Sequence, residues 1–249
     1  VVVDGKTVMS GSRMTIIAGV FSICAILCYI VCFKLTRERV EVPASSQKVS
    51  ASAIFKSIFT NRALLGIIVA AIFVLLSQLT VMSLAGYVYP NVYGSAAAQS
   101  TASLLGTVIM LIVCAPFASK LAAKFGKKEL AVASSICSAL VWLVCLIWRP
   151  ASVWGFVACY ILANVGMGFF NTIIWAMITD VIDDAEVRSG IREDGTIYSV
   201  YSFARKLGQA FSSGLVGALL GIIGYTEATA FDPAVTRGIF NMACIAPII

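Results

Sequence analysis

Polar and apolar positions along this chain fall into long blocks rather than alternating. Seven apolar runs are read, at about 14–33, 63–88, 98–119, 130–148, 152–179, 197–224 and 238 onward. Each of the first six can cross a hydrocarbon core of roughly 30 Å, which takes about twenty helical residues. A β-barrel would show short alternating segments instead. Helices satisfy their backbone polar groups within each span, so the pattern predicts an all-α integral membrane protein. The chain begins at Val1 without an initiator Met or a signal-peptide pattern, and its last run stops at Ile249 short of a full span. It therefore reads as an internal fragment of a longer protein.

The first connection has its own internal structure. "LTRERVEVPASSQKVS" is polar and contains Pro43, which predicts a linker. "SAIFKSIFTNR" then places Ile54, Phe55, Ile58 and Phe59 on one face, as in a short amphipathic helix lying on a membrane surface. Because the linker separates one span from six, three regions are expected. Residues 1–33 hold the last helix of one bundle, 34–62 form a central loop, and 63–249 form a second bundle with a truncated last helix.

Two spans carry polar stripes. In the sixth, Ser199, Ser202, Lys206, Gln209 and Ser213 recur at helical spacing. Tyr198, Tyr201, Arg205, Gly208 and Ser212 form an adjoining face. Arg205 and Lys206 lie roughly 13 Å inside the span at 1.5 Å per residue. A charge at that depth costs at least about 2.5–3.5 kcal/mol, so it should face a bundle interior or a wet cavity. The alternative is an interhelical hydrogen-bond seam with Lys206 paired to a buried carboxylate, but no mid-span carboxylate is visible in the chain. In the fifth span, Asn164, Gly168, Asn171 and Trp175 share a face. Amides beside an indole suit a sugar, whose hydroxyls need hydrogen bonds and whose ring stacks on an aromatic. The competing reading is close packing at Gly166 and Gly168, with Trp175 as an interface anchor. Gly214, Gly217, Gly221 and Gly224 read as a packing face.

Composition agrees with a membrane protein. Of 249 residues, 60% are hydrophobic and only 12% are charged, too few for the surface of a soluble domain. The net charge of +6 does not imply a nucleic-acid partner, because the basic residues sit between apolar runs. The connection 34–62 holds Lys34, Arg37, Arg39, Lys48, Lys56 and Arg62. The connection 119–129 holds Lys120, Lys124, Lys127 and Lys128, and 180–196 holds Arg188 and Arg192. The intervening connections are poor in Lys and Arg, so the positive-inside rule places 34–62, 119–129 and 180–196 in the cytoplasm. The eight cysteines all lie within apolar runs, and the chain has no histidine. Even Cys24, Cys28 and Cys32, which share a helix face, read as small membrane hydrophobes rather than metal ligands or disulfide partners.

Half of the twelve acids fall within "DVIDDAEVRSGIREDG", residues 180–195. Asp180, Asp183 and Asp184 have the spacing of an aspartate-rich Mg²⁺ site for a prenyl diphosphate. Such a site needs a second Asp-rich motif on another helix, and none is visible. A solvated turn is the plain alternative. A third reading is a gate in which Asp180, Asp183, Glu186 and Asp194 pair with Arg188, Arg192 and the basic residues 120–128 in one conformation only. Exposed pairs are worth about 0–1 kcal/mol each, so only a network would bias a conformational equilibrium.

The stretch from "NVGMGFFNTIIWAMITDVIDDAEVRSGIREDG" through "TIYSVYSFARKLGQ" resembles the glycoside–pentoside–hexuronide:cation symporters, the melibiose-permease family of the major facilitator superfamily. The matching elements are Trp175-Ala176-Met177, Asp180, Asp183, Glu186, Ser189-Gly190, Arg192, Asp194-Gly195, Tyr198-Ser199 and Lys206. "TRERV", "FTNRALL" and "FGKKELAVAS" resemble the family's loops, so the likeness covers essentially the whole chain. It implies a major facilitator fold of twelve helices in two bundles, with substrate near the midplane. The chain would then supply the C-terminal six-helix bundle and the last helix of the N-terminal bundle.

By this resemblance Lys206 stands near the sugar and cation sites, and Asp180, Asp183, Glu186 and Arg192 belong to a cytoplasmic charge network. Three positions depart from the pattern. Asp184 stands where the family usually has Tyr, Arg205 where the melibiose permease has an apolar residue, and Asn171 where that permease has a tryptophan lining the sugar site. The implied function is Na⁺- or H⁺-coupled symport of a sugar or glycoside by alternating access, not an enzymatic reaction. The alternatives are the prenyltransferase above and a non-transporting member of the family. No cofactor is expected beyond the coupling cation, whose main site would lie in the N-terminal helices. The expected partners are the sugar, the lipid bilayer and the N-terminal bundle of the same protein, in the bacterial inner membrane.

Overall fold

The computed structural model describes residues 2–3, 6–7, 11–36, 61–189 and 194–248. The amphipathic segment expected at 54–59 lies outside the described residues, as do Arg192 and its neighbours Gly190 and Glu193. The chain divides into two units, Val1–Val49 and Ser50–Ile249. In the first, the two-residue strands β1 (Val2–Val3) and β2 (Lys6–Thr7) pair antiparallel, and α1 (Gly11–Leu35) follows. Apart from Lys34 in its last turn, the described part of α1 from Thr15 onward carries no charge. That is what a helix surrounded by lipid or by other apolar helices requires.

The second unit is a helical bundle. It contains α2 (Arg62–Tyr87), α3 (Ala96–Phe125), α4 (Lys127–Trp148), α5 (Val153–Ser189), α6 (Asp194–Ile223) and α7 (Pro233–Ile245). Among the described residues, α1 to α6 are long and apolar enough to cross a membrane, in agreement with the apolar runs. Their ends follow local chemistry. The Asn61 side chain caps α2 by accepting from the backbone N–H groups of Ala63 and Leu64 at 3.0 and 3.1 Å. After Tyr87 the backbone widens into a single π turn, Val88–Val92, around Pro90, which has no N–H to continue the α ladder. At the end of α4, Arg149 turns left-handed with φ 48° just before Pro150.

Two expected loops are helical. The connection 119–129 shrinks to Gly126, whose φ of 99° lets the chain reverse between α3 and α4. Lys120 and Lys124 therefore belong to α3, and Lys127 and Lys128 to the first turn of α4. Likewise Asp180–Ser189 is not loop but the end of α5, and Asp194 opens α6. At 37 residues, α5 is about 55 Å long, well beyond a bilayer core of about 30 Å. Hydropathy marks where a helix leaves lipid, whereas its backbone hydrogen bonds run on as long as the chain allows.

The helices pack in two sets, α2 against α6 and α5 against α3 and α4. Lipid is as apolar as a leucine side chain, so close backbone approach and interhelical hydrogen bonds decide such contacts. On α5, a Cβ built at Gly166 would lie 3.0 Å from the Ser134 carbonyl oxygen of α4. Ser138 Oγ donates across the same interface to the Ala163 carbonyl at 3.1 Å. Gly168 packs on Met110 and Cys114 of α3, and Cys114 Sγ donates to the Val165 carbonyl at 3.4 Å. On α6 the close approach is Gly208, opposite the Ile72 carbonyl of α2. Among the described residues nothing comes within 4 Å of a Cβ built at Gly214, Gly217, Gly221 or Gly224, the face expected to pack. The smallest residue marks a tight contact only where a second backbone comes close.

Candidate functional site

The polar residues of α6 separate into two roles. Tyr201, Gly208 and Ser212 are buried and form the seam with α2, where Ser212 Oγ and Thr80 Oγ1 share a buried hydrogen bond of 3.1 Å. This part of the second stripe is therefore structural rather than open to a pathway. The first stripe stays accessible: Ser199, Ser202, Lys206 and Ser213 are exposed and Gln209 is half-buried. Lys206 Nζ donates to Gln209 Oε1 at 3.2 Å. Ser199 and Ser213 return their hydroxyls to the α6 backbone, on the carbonyls of Thr196 and Gln209.

Arg205 lies between these two faces. Its guanidinium carbon sits 5.2 Å from the Trp175 ring centroid and 5.7 Å from that of Tyr201, within the range of cation–π attraction. Trp175 and Tyr201 meet edge to face at 5.6 Å, which locks the two rings together. This contact joins α5 to α6 at the level of the α6 cations.

On α5 the stripe is continued by amides. Asn171 Nδ2 donates to Gln78 Oε1 of α2 at 3.2 Å, while Asn164 Nδ2 donates to the carbonyl of Tyr160 on its own helix at 2.7 Å. Gln78 was not singled out from the sequence, although a lone amide within an apolar run is a readable signal. With Ser77 and Asn164 it lines a small cavity of about 50 Å³, too small for a sugar ring. A polar wall thus runs from Gln78 through Asn171 and Trp175 to Arg205 and Lys206, touching three helices. It combines amides, an indole with 48% of its surface exposed and two cations.

A larger cavity lies elsewhere. About 910 Å³ opens between α2, α4 and α5, with walls such as Ile67, Phe73 and Ile174. Its lining is mostly apolar, although Arg62, Lys127, Lys128, Ser135, Asp180 and Asp184 also border it.

At the acidic end of α5, Lys127 Nζ reaches across from α4 to both oxygens of Asp180, at 2.6 and 2.7 Å, and to the Ala176 carbonyl at 3.3 Å. The side chains of the pair are 39% and 54% exposed, so its worth falls within the 0–1 kcal/mol range of surface pairs, about 1 kcal/mol at most. Arg188 Nε donates to Asp184 Oδ1 at 3.0 Å, one turn apart. The other Asp184 oxygen is equally near but off the N–H direction, and it has no hydrogen bond. Asp183, Glu186 and Asp194 each have interactions of their own. Of the expected charge network, the described residues bring together Asp180 with the basic end of α4, and Arg188 with Asp184.

A family model described as MFS/sugar transport protein matches residues 1–249. The chain is 29% identical, over 94% of its length, to an uncharacterized symporter of Bacillus subtilis, of which it covers 51%. It is 26% identical, over 92% of its length, to a glucuronide carrier protein homolog of Escherichia coli, covering 50% of that protein. A putative sulfoquinovose importer of Salmonella typhimurium is 28% identical over 93% of the chain, which covers 49% of it. The chain spans about half the length of these curated relatives.

Proposed function

The chain belongs to the MFS/sugar transport protein family, and from that premise we propose that the full-length protein is a secondary active transporter, carrying a sugar or glycoside together with Na⁺ or H⁺ by alternating access. Six helices long and apolar enough to cross a membrane and the family match make it a multi-pass protein of the bacterial inner membrane. The observation that carries the transport reading is the wall of Gln78, Asn171, Trp175 and Lys206 on three spanning helices. Amides and a cation are costly in lipid, and here they are gathered beside an aromatic ring instead of being scattered. The aspartates of α5 fit a membrane enzyme poorly, because Asp180 and Asp184 are already held by Lys127 and Arg188.

Uptake of a labelled sugar into vesicles containing the full-length protein tests the proposal. Glucuronides and sulfoquinovose are the first candidates, since two relatives are named for them. Accumulation should rise when a Na⁺ or H⁺ gradient is imposed. Uptake indifferent to both gradients would remove the coupling, and no uptake of any sugar would remove the transport reading.

The Lys127–Asp180 pair has a place in this mechanism. We assign it to the cytoplasmic end, where it ties α4 to α5 in one conformation. Lys127→Asp should change the uptake rate by about threefold to fivefold, the size of one exposed pair, with little change in folded yield. The double variant Lys127→Asp, Asp180→Lys should return most of the rate. Equal rates in all three proteins would show that the pair does not gate.

A further inference from the structure

Arg205 and Lys206 are adjacent in sequence but differently held. Among the described residues neither is in an ion pair. Arg205 lies eleven residues into α6 from Asp194, about 16 Å along the axis. Lys206 is exposed and donates to the neutral Gln209. Arg205 is half-buried and engaged by two aromatic side chains.

The three groups form a series that runs from the core to the surface. Tyr201 is 2% exposed and packs in a buried cluster with Leu64, Ile67 and Ala71 of α2. Arg205 is half-buried, and Trp175 on α5 keeps nearly half of its surface exposed. The ring planes of Trp175 and Tyr201 stand 77° apart, so one guanidinium cannot lie flat on both. It sits in the corner between them, 5.2 Å from one centroid and 5.7 Å from the other. It also hydrogen-bonds with the Tyr201 side chain. Two ring faces and a phenol oxygen thus supply the partial negative charge that a cation at this depth needs. In return, Arg205 ties an exposed ring on α5 to a buried ring on α6.

An indole that stacks on a sugar gains most when its face is held at a fixed angle. An exposed side chain left to itself samples several rotamers, and ordering it when the sugar arrives would cost affinity. A clamp already closed on the ring removes that cost. Resting on the transport reading above, we propose that Arg205 is a positioning residue. It holds the Trp175 indole against Tyr201, so that the exposed part of the indole forms the platform on which the sugar ring stacks. Its own charge is compensated by the two rings and does not meet the substrate. Of the two cations, Lys206 is the one presented to the pathway.

The test uses the full-length protein in vesicles with an imposed cation gradient. A labelled hexose, hexuronide and neutral disaccharide are supplied in turn, and the sugar that the wild type accumulates fastest serves as the probe. Arg205→Met should raise the half-saturation concentration about tenfold, the size of one partly desolvated cation–π contact. The maximal rate and the folded yield should stay within about twofold of wild type. Trp175→Ala should raise the half-saturation concentration about tenfold or more. Because both changes remove the same platform, the double variant should stay within about threefold of Trp175→Ala alone. Arg205→Lys keeps a cation over the rings and should remain within about threefold of wild type; it carries the test if Arg205→Met fails to fold. Effects that multiply in the double variant, to about 100-fold, would show that Arg205 acts on the sugar directly. That result would overturn the proposal and leave the transport reading standing. A half-saturation concentration unchanged by Arg205→Met or by Trp175→Ala, or raised tenfold by Arg205→Lys, would do the same. Uptake of no sugar by the wild type would overturn both.

Discussion

Lys206→Met should reduce gradient-driven sugar uptake by about 100-fold or more while leaving the folded yield within about twofold of wild type. Both halves of this expectation follow from where the side chain sits. Among the described residues its one hydrogen bond goes to Gln209, three residues along the same helix, and its surface is exposed. Losing such a contact costs about 0.5–1.5 kcal/mol at most, and replacing an ammonium by a thioether within a span recovers some insertion energy. The residue is therefore held at a local cost of about 2.5–3.5 kcal/mol with little structural return. If that cost is offset only when substrate and cation are bound, removing the charge forfeits a similar amount during turnover, which corresponds to about 100-fold. Uptake into vesicles and the elution profile of the purified full-length protein measure the two effects separately. A Lys206→Met protein that transports normally would assign the residue to structure. A protein that fails to fold would show that a buried partner of Lys206 exists elsewhere in the full chain.

The spans were legible because lipid imposes one simple rule on a sequence. Runs of apolar residues near twenty long predicted α1 through α6, and the structure has them. The rule is silent outside the membrane, which is why the last turns of α5 read as loop. There, Arg188 lies in the final turn, where a cation suits the carbonyl end of the helix. Its contact with Asp184 supports a helix that hydropathy does not register. Periodicity likewise says which residues share a face, not what stands opposite. Ser202 and Ser212 look alike as stripe members, yet one is exposed and the other is bonded to Thr80. Gln78 and Thr80 escape notice for the converse reason, as members of a short polar cluster with Ser77 that forms no stripe along the helix. Arg205 and Trp175 were both singled out, but nothing in the sequence links them. Their contact depends on the crossing of α5 and α6.

Gly208→Val should have the largest effect on folding, lowering stability by about 1–3 kcal/mol and reducing folded yield several-fold. A Cβ at this position would lie 2.9 Å from the Ile72 carbonyl oxygen, 3.3 Å from Ile72 Cα and 3.2 Å from Leu75 Cβ. Two of these three atoms are backbone, so no rotamer change on α2 relieves the contact and the helices must separate. Even Gly208→Ala should destabilise, although alanine favours a helix over glycine by about 1 kcal/mol. Gly66→Ala, on α2 with nothing within 4 Å of its built Cβ, should show the propensity gain alone and raise stability. The opposite signs of these two alanine variants separate a steric effect from a helix-propensity effect, and thermal unfolding of the full-length protein in detergent measures both. Separation of α6 from α2 would also break the Ser212–Thr80 hydrogen bond one turn beyond Gly208 and shift Tyr201 beneath Arg205. The valine variant should therefore lose uptake and stability together, whereas Lys206→Met loses uptake alone. If Gly208→Val unfolded at the wild-type temperature, the two helices would have room to separate. The positions of Arg205 and Lys206 would then not depend on this seam.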